Sequence, residues 1–355
     1  MKVIVDNKIP YIREAIEGLT QQVVYLPGSE ITAEAVRDAD ALIIRTRTRC
    51  DRQLLDGSNV QFIATATIGY DHIDANYCRE AGIAWSNAPG CNAASVAQYV
   101  QSCLLLLERE KGMTLKGRTL GIVGVGHVGK LVAKVAQRWG MRVLLNDPPR
   151  AAAEGSKAFS SLQQLTEESD ILTFHVPLQR TGTYPTFHLA DSHFFSSLKR
   201  KPVVINTSRG EVVETQAIKE AIRKGLVAEA ILDVWENEPS IDLDLLHHIY
   251  IGTPHIAGYS ADGKANATRQ ALDALCRHFQ LEGHYTITPP LPTQPLIQAA
   301  TLPDALLQIY NPHTDSQALK KHPEWFEQLR GNYPLRREEG AYRISLNDVT
   351  GKNAE

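Results

Sequence analysis

Short apolar runs separated by polar segments recur through the first 95 residues, at 3–5, 23–26, 41–45 and 62–65. Each is too short for a helix and reads as a buried strand, while 9–19 and 33–38 between them carry helical spacing. The alternation predicts a small α/β domain with a mostly parallel sheet. Ala88-Pro89-Gly90-Cys91-Asn92 then breaks the pattern ahead of a long helix through Val96, Val100, Cys103, Leu104 and Leu107, apolar enough to be buried and to bridge two domains. Asn92 or Ser95 could cap it, and Ser95 stands at capping-box spacing from Gln98. Strand-like runs resume at 119–123, 141–145, 170–178, 202–210, 228–235 and 250–259, followed by a helix at 265–279. Beyond 285 the composition shifts. Pro289, Pro290, Pro292 and Pro295 mark a linker, and 302–309, 323–330 and 342–346 suggest a small α+β appendage with polar, frayed last residues. So short a piece buries little core alone and must pack on the body or on another subunit.

The run at 119–123 feeds directly into Gly124, Gly126 and Gly129, a G-x-G-x-x-G turn, and then into a helix at 130–139 that Gly140 ends. The first glycine permits the tight turn, the second lets backbone approach a pyrophosphate, and the third lets helix and strand pack closely. The helix N-terminus offers free N–H groups to phosphates, with His127 in the loop beside them. Asp147 closes the next strand about twenty residues on, where a carboxylate accepts from ribose hydroxyls and repels a 2′-phosphate. This reads as an NAD site, with Arg150 close by.

A length of 355 residues with 43% hydrophobic content allows two or three domains with full cores. The net charge of −3 gives no reason to expect nucleic acid or membrane partners. No apolar run approaches a membrane span, and Met1 leads straight into a strand rather than a signal peptide. The five cysteines are scattered without a C-x-x-C pair, so neither a disulfide framework nor a metal site is implied. The expectation is a reduced, cytoplasmic protein.

Ligands of parallel sheets bind beyond the carboxyl ends of the strands. Arg45, Arg47 and Arg49 alternate there, so in an extended segment they would share one side, as an anion site or a solvated basic strand end. Thr67 and Gly69 offer a hydroxyl and an unencumbered N–H at the next strand end, or a simple turn. Downstream, Arg209 in a glycine-flanked turn suits a guanidinium fork that grips a carboxylate. Glu238 and His255 supply a carboxylate and an imidazole, the pair that alcohol–ketone chemistry needs beside a nicotinamide. The other histidines read as structural: His72 as a helix cap, and His247 and His248 as a solvated helix end. Cys91 reads as a small residue in a turn.

Four stretches carry a specific resemblance: the glycine loop, Asn206-Thr207-Ser208-Arg209-Gly210, Asp233 to Pro239, and Thr253-Pro254-His255-Ile256-Ala257-Gly258. On these the chain resembles the D-isomer-specific 2-hydroxyacid dehydrogenases, from residue 1 to about 285. The resemblance implies two doubly wound parallel-sheet domains with a cleft between them. These are a flavodoxin-like substrate-binding domain (1–95 and 260–285) and a Rossmann NAD domain (96–259). It implies Arg209 on the substrate carboxylate, His255 as acid/base and Glu238 supporting it. Gly124, Gly126, His127, Val128, Gly129, Asp147, Val176, Thr207, Asp233 and Gly258 would lie near NAD. Val176 stands where a threonine hydroxyl is usual, leaving backbone contacts there. A narrower resemblance rests on Ala88-Pro89-Gly90-Cys91-Asn92, Asn146-Asp147-Pro148-Pro149-Arg150, His255-Ile256-Ala257-Gly258-Tyr259-Ser260 and the tail from Arg330 to Glu338. It implies a small phosphorylated 2-hydroxy acid of the pyridoxal phosphate pathway, with Thr46, Thr67 and Tyr259 on substrate. It also implies that 286–355 is a dimerisation domain, making a homodimer. Arg45, or Arg336 with Arg337, would answer the need for a phosphate partner. The alternatives are a dehydrogenase for 3-phosphoglycerate or an unphosphorylated acid, and an NAD-sensing regulator on the same fold.

Overall fold

Strands made of uninterrupted Val, Ile and Leu require cover on both faces, which parallel sheets receive from their crossover helices. In the computed structural model, which describes residues 1–347, two such sheets form. β1 (Lys2–Asp6), β2 (Gln22–Leu26), β3 (Ala41–Ile44), β4 (Phe62–Thr65) and β5 (Ala84–Ser86) pair in parallel in the order β2-β1-β3-β4-β5. Successive side chains divide between the two faces. Val3, Val5, Ile43 and Ala64 meet Ala271, Leu272 and Leu275 of the helix Ala261–Phe279. Ile4, Leu42, Ile44 and Ile63 meet Val36, Leu55 and Cys78 on the other. Ser260 starts the helix Ala261–Phe279 by accepting from the Gly263 N–H at 2.8 Å.

The second sheet holds β6 (Thr119–Val123), β7 (Arg142–Asn146), β8 (Ile171–Phe174), β9 (Val203–Asn206), β10 (Glu229–Leu232) and β11 (Ile251–Gly252). Its order is β11-β10-β9-β8-β6-β7, so the direction of winding switches between β6 and β8. Doubly wound sheets take their ligands at that point, outside the carboxyl ends of the strands. The chain divides into two units, 1–92 with 260–291, and 93–259 with 292–355.

The long helix is Ala93–Lys111, and it is buried on nearly every side, polar residues included. The tail supplies the reason. Ser95 Oγ donates to Glu338, Gln98 Nε2 to the Arg337 carbonyl, and Ser102 Oγ to the Tyr310 carbonyl. Ser95 therefore does not cap the helix, and Gln98 is not half of a capping box. The tail itself contains the helices Leu302–Ile309, Pro312–Lys321 and Phe326–Gly331 between two parallel strands, β12 (Leu296–Ala299) and β13 (Arg343–Leu346). It packs on the body of its own unit, and the frayed end expected of its final residues lies outside the described residues. A second expectation fails near the start. The helix read over 9–19 is only Arg13–Glu17, because Pro10 precedes Tyr11, whose φ of +61° is not helical.

Candidate active site

The glycine loop has the shape a dinucleotide needs. At Gly124, with φ +90°, a Cβ would stand 2.5 Å from the His175 carbonyl oxygen, and at Gly129 it would stand 2.1 Å from the Gly124 oxygen. At Gly126 a Cβ would meet nothing within 4 Å, so the backbone there is open to an incoming pyrophosphate. The helix begins earlier than its spacing suggested, at His127–Arg138, which makes exposed His127 its first residue and sets Val128 against the core. Asp147 accepts from the Val125 N–H at 2.8 Å and the Arg150 N–H at 3.1 Å. Each oxygen retains lone-pair capacity for a ribose hydroxyl. The Arg150 fork is turned to Glu154 and the Val125 carbonyl.

Beyond β8, His175 bridges two threonines, with Nε2 3.0 Å from Thr173 Oγ1 and Nδ1 3.1 Å from Thr207 Oγ1. It thereby fixes the Thr207 hydroxyl, while Val176 sits opposite Gly124. Burial pushes the His175 imidazole down to about 3. An unfolded histidine titrates near 6.5, so between these limits the unfolded state binds the extra proton and stability falls as pH falls. The slope approaches about 1.4 kcal/mol per pH unit where the two states differ by one bound proton. His175→Asn is expected to remove this slope from urea-denaturation free energies measured below pH ~6.5, and an unchanged slope would show that His175 is not held neutral.

The ionisable cluster lies at the ends of β9, β10 and β11. Asn206, buried at the end of β9, shapes the following turn by donating to the Arg209 carbonyl and accepting from Ser208. Gly210 allows this turn to press on the next strand end, since a Cβ there would stand 1.9 Å from the Trp235 carbonyl carbon. The Arg209 guanidinium spends one N–H on the Ser208 carbonyl and is otherwise presented to a cavity shared with Glu211, Trp235, Asn237, Glu238 and His255. His255 Nδ1 lies 2.8 Å from Glu238 Oε2. Burial raises the Glu238 carboxyl. The His255 hydrogen bond and charge, the Trp235 N–H and the Arg330 charge together outweigh it and hold it below the usual range. An ionised carboxylate only accepts, so Nδ1 carries the proton and Nε2 faces the cavity chemistry.

His255 itself adopts φ +57°, a left-handed conformation that costs a side-chain-bearing residue roughly 1 kcal/mol or more. Asp233 holds the segment in place. Its buried carboxylate, raised by desolvation, accepts from Thr253 Oγ1 and from the N–H groups of Ile256 and Ala257, ahead of Gly258. Tyr99 adds a hydroxyl contact to Thr253, and Trp235 Nε1 donates to the Thr253 carbonyl.

In the first unit, the three arginines after β3 do not share a side. Residues 46–48 form a turn, closed by Thr48 N–H on the Arg45 carbonyl and by Thr48 Oγ1 on the Gly28 carbonyl. Arg45 Nη1 turns to the Lys8 carbonyl, Arg49 to Asp51, and Thr46 is exposed at the turn. Thr67 Oγ1 bonds Thr65 and the Gly69 carbonyl, and His72 bonds Thr65, while Asp74 caps the helix His72 was expected to start. Cys91 is buried and its thiol pushed up to about 12. His247 and His248 close an exposed helix end.

The tail corrects a further expectation. Arg336 and Arg337 are 5% and 7% exposed, which removes them as partners for a substrate phosphate. Arg330 takes their place near the chemistry: its guanidinium lies 5.7 Å from the centre of the Tyr259 ring, and its charge reaches Glu238. No spacing rule ties Arg330 to a strand end some seventy positions away, so only the fold reveals it.

Residues 95–257 match the family described as D-isomer specific 2-hydroxyacid dehydrogenase, NAD binding domain. Erythronate-4-phosphate dehydrogenase of Bacteroides fragilis is 65% identical over 346 residues, 98% of this chain and 99% of that one. The Porphyromonas gingivalis enzyme of the same name is 42% identical, over 97% of this chain and 95% of its own. Among solved structures, D-lactate dehydrogenase from Aquifex aeolicus complexed with NAD and lactic acid is 26% identical. It superposes with a TM-score of 0.65 over 79% of this chain and 96% of its own.

Proposed function

We propose a reaction from one premise: this chain belongs to the D-isomer specific 2-hydroxyacid dehydrogenase family and, within it, stands with the erythronate-4-phosphate dehydrogenases. It is an NAD-dependent oxidoreductase that converts 4-phospho-D-erythronate to 2-oxo-3-hydroxy-4-phosphobutanoate, in pyridoxal 5′-phosphate biosynthesis. The observation that carries the reading is the 2.8 Å His255–Glu238 hydrogen bond beside the Arg209 fork.

Gly124, Gly126, Gly129 and the helix start at His127 and Val128 would hold the NAD pyrophosphate, and Asp147 the adenosine ribose, with Val176, Thr207, Asp233 and Gly258 near the rest. So held, NAD supplies the acceptor for the hydride that leaves C2 of the substrate. The chain does the remainder. Arg209 pairs with the substrate carboxylate and fixes C2. His255 Nε2 removes the 2-hydroxyl proton as the C2–H bond breaks, leaving the 2-oxo group. Glu238 keeps Nδ1 protonated and stabilises the imidazolium that forms. Arg45, Thr46, Thr67 and Tyr259 are assigned to substrate, with Arg330 added for its charge.

The tail serves a homodimer in this reading. Leu296, Leu335 and Leu346 are 53%, 49% and 48% exposed on a segment of small core, apolar surface that a second copy could cover. Among the described residues no helix is long and apolar enough to cross a membrane, and the reaction is assigned to the cytoplasm. The test is NADH formation with 4-phosphoerythronate beside 3-phosphoglycerate and D-lactate. Preference for the first is the expected result. Equal or better turnover of another acid would reassign the substrate, and light scattering of the same sample reads the dimer.

A further inference from the structure

Arg336 is a buried arginine without a carboxylate in salt-bridge range among the described residues, an arrangement that costs free energy unless its donors are well used. The two terminal nitrogens are used on carbonyl oxygens, while the buried Nε has no hydrogen-bond partner among the described residues. Nη2 donates to Ala257 at 2.5 Å and to Ser95 at 3.3 Å, and Nη1 donates to Ile256 at 3.3 Å. Ile256 and Ala257 are the two residues that follow His255, and their N–H groups are the ones Asp233 accepts from. The Ile256–Ala257 peptide thus lies between a buried carboxylate on its N–H and a buried guanidinium on its carbonyl, with Asp233 also holding the peptide before it and Arg336 the peptide after it. The two charges share that one amide and grip its neighbours on either side, so the pair acts through the backbone it holds. Ser95 lies in the first turn of the helix Ala93–Lys111, which anchors the other end of the clamp. The Tyr310 ring centre stands 4.3 Å from the guanidinium carbon, and Tyr310 and Tyr333 both pass a hydroxyl to Asp315.

We propose that Arg336 is a positioning residue for the acid/base step: the tail clamps the loop that presents His255 to Glu238, in addition to any part it has in assembly. The left-handed backbone at His255 needs such restraint, because a loop released on its carbonyl side can relax and withdraw the ring from Glu238. The proposal rests on the reading of His255 as the acid/base.

The test compares wild type, His255→Asn, Arg336→Met and Arg336→Lys as full-length proteins with 4-phosphoerythronate and NAD. Lost activity in the His255 variant establishes the reading on which the clamp depends. If the wild type fails to turn over, or if His255→Asn keeps the wild-type rate, that reading falls and takes the clamp with it. With the reading standing, Arg336→Met is expected to lower kcat at least ~10-fold, since a displacement of about 1 Å at a reacting group can cost far more. KM for NAD and the size measured by light scattering should stay at wild-type values. Arg336→Lys, which keeps a buried cation but not the fork, should recover part of the kcat. Wild-type kcat in the methionine variant overturns the proposal. Should that variant not fold, wild-type kcat in the lysine variant overturns it equally. A changed size with unchanged kcat per active dimer would also overturn it, by making the role one of assembly alone.

Discussion

His255→Asn is expected to lower kcat for 4-phosphoerythronate oxidation by about 10²–10⁴-fold, the usual contribution of one positioned acid–base group. Asparagine keeps a donor for Glu238 and comparable bulk, so the Asp233 bonds to the following N–H groups persist and the fold is spared. What it lacks is a second nitrogen that takes a proton. NAD affinity, followed by quenching of protein fluorescence, should therefore remain. Glu238→Gln is the milder companion. An amide still accepts from Nδ1 but cannot stabilise the imidazolium by charge, so its kcat should lie between the two. If the asparagine variant retained activity within a few-fold of wild type, the proton would have to leave by another route. Loss of NAD binding in the same variant would instead mean that the segment 253–258 had collapsed.

Most of both sheets was legible from sequence because a strand buried on both faces has little choice of residues. Val203, Val204 and Ile205, or Ile171 and Leu172, report burial by composition alone. The polar positions that follow them, Asn206 to Arg209 and Asp233, were equally legible as a carboxyl edge. Side-chain hydrogen bonds decided the rest. Arg45, Arg47 and Arg49 look like one charged face only if the chain is extended, and Thr48 turning to the Gly28 carbonyl makes it a turn. Ser95 and Gln98 have capping-box spacing, yet their partners are Glu338 and Arg337, more than two hundred residues away. Pairing at that separation leaves no trace in local periodicity.

The same limit applied to the site. Arg209, Glu238 and His255 stand where strand ends place them, so order along the chain brought them into one cavity. Their support was invisible. Asp233 read as a cofactor neighbour, and the bonds its carboxylate accepts from Thr253, Ile256 and Ala257 were not visible in that reading. The run from Arg330 to Glu338 read as part of a dimerisation tail that offered Arg336 and Arg337 to a phosphate, whereas Arg336 lies inside, against Tyr310 and Asp315 from earlier in the tail. A charged residue in a polar run is normally solvated, and only packing identifies the exception.

Arg209→Met is expected to reduce kcat/KM by about two orders of magnitude, from the loss of roughly 3 kcal/mol in two charge-assisted hydrogen bonds to the substrate carboxylate. The carboxylate is bound before and during hydride loss, so much of the effect belongs in KM for the acid, with a further decline in kcat as C2 loses its orientation. Arg209→Lys restores a positive charge without the planar fork and should recover only part of the loss. The turn that carries Arg209 is fixed independently by Asn206 and by the close approach of Gly210 to Trp235, so neither change should disturb folding. Initial rates across substrate concentration decide the matter. A fall confined to kcat, with KM for 4-phosphoerythronate unmoved, would remove Arg209 from the carboxylate and leave it a transition-state role alone. A lysine variant equal to wild type would mean that charge suffices and that the guanidinium geometry does not matter.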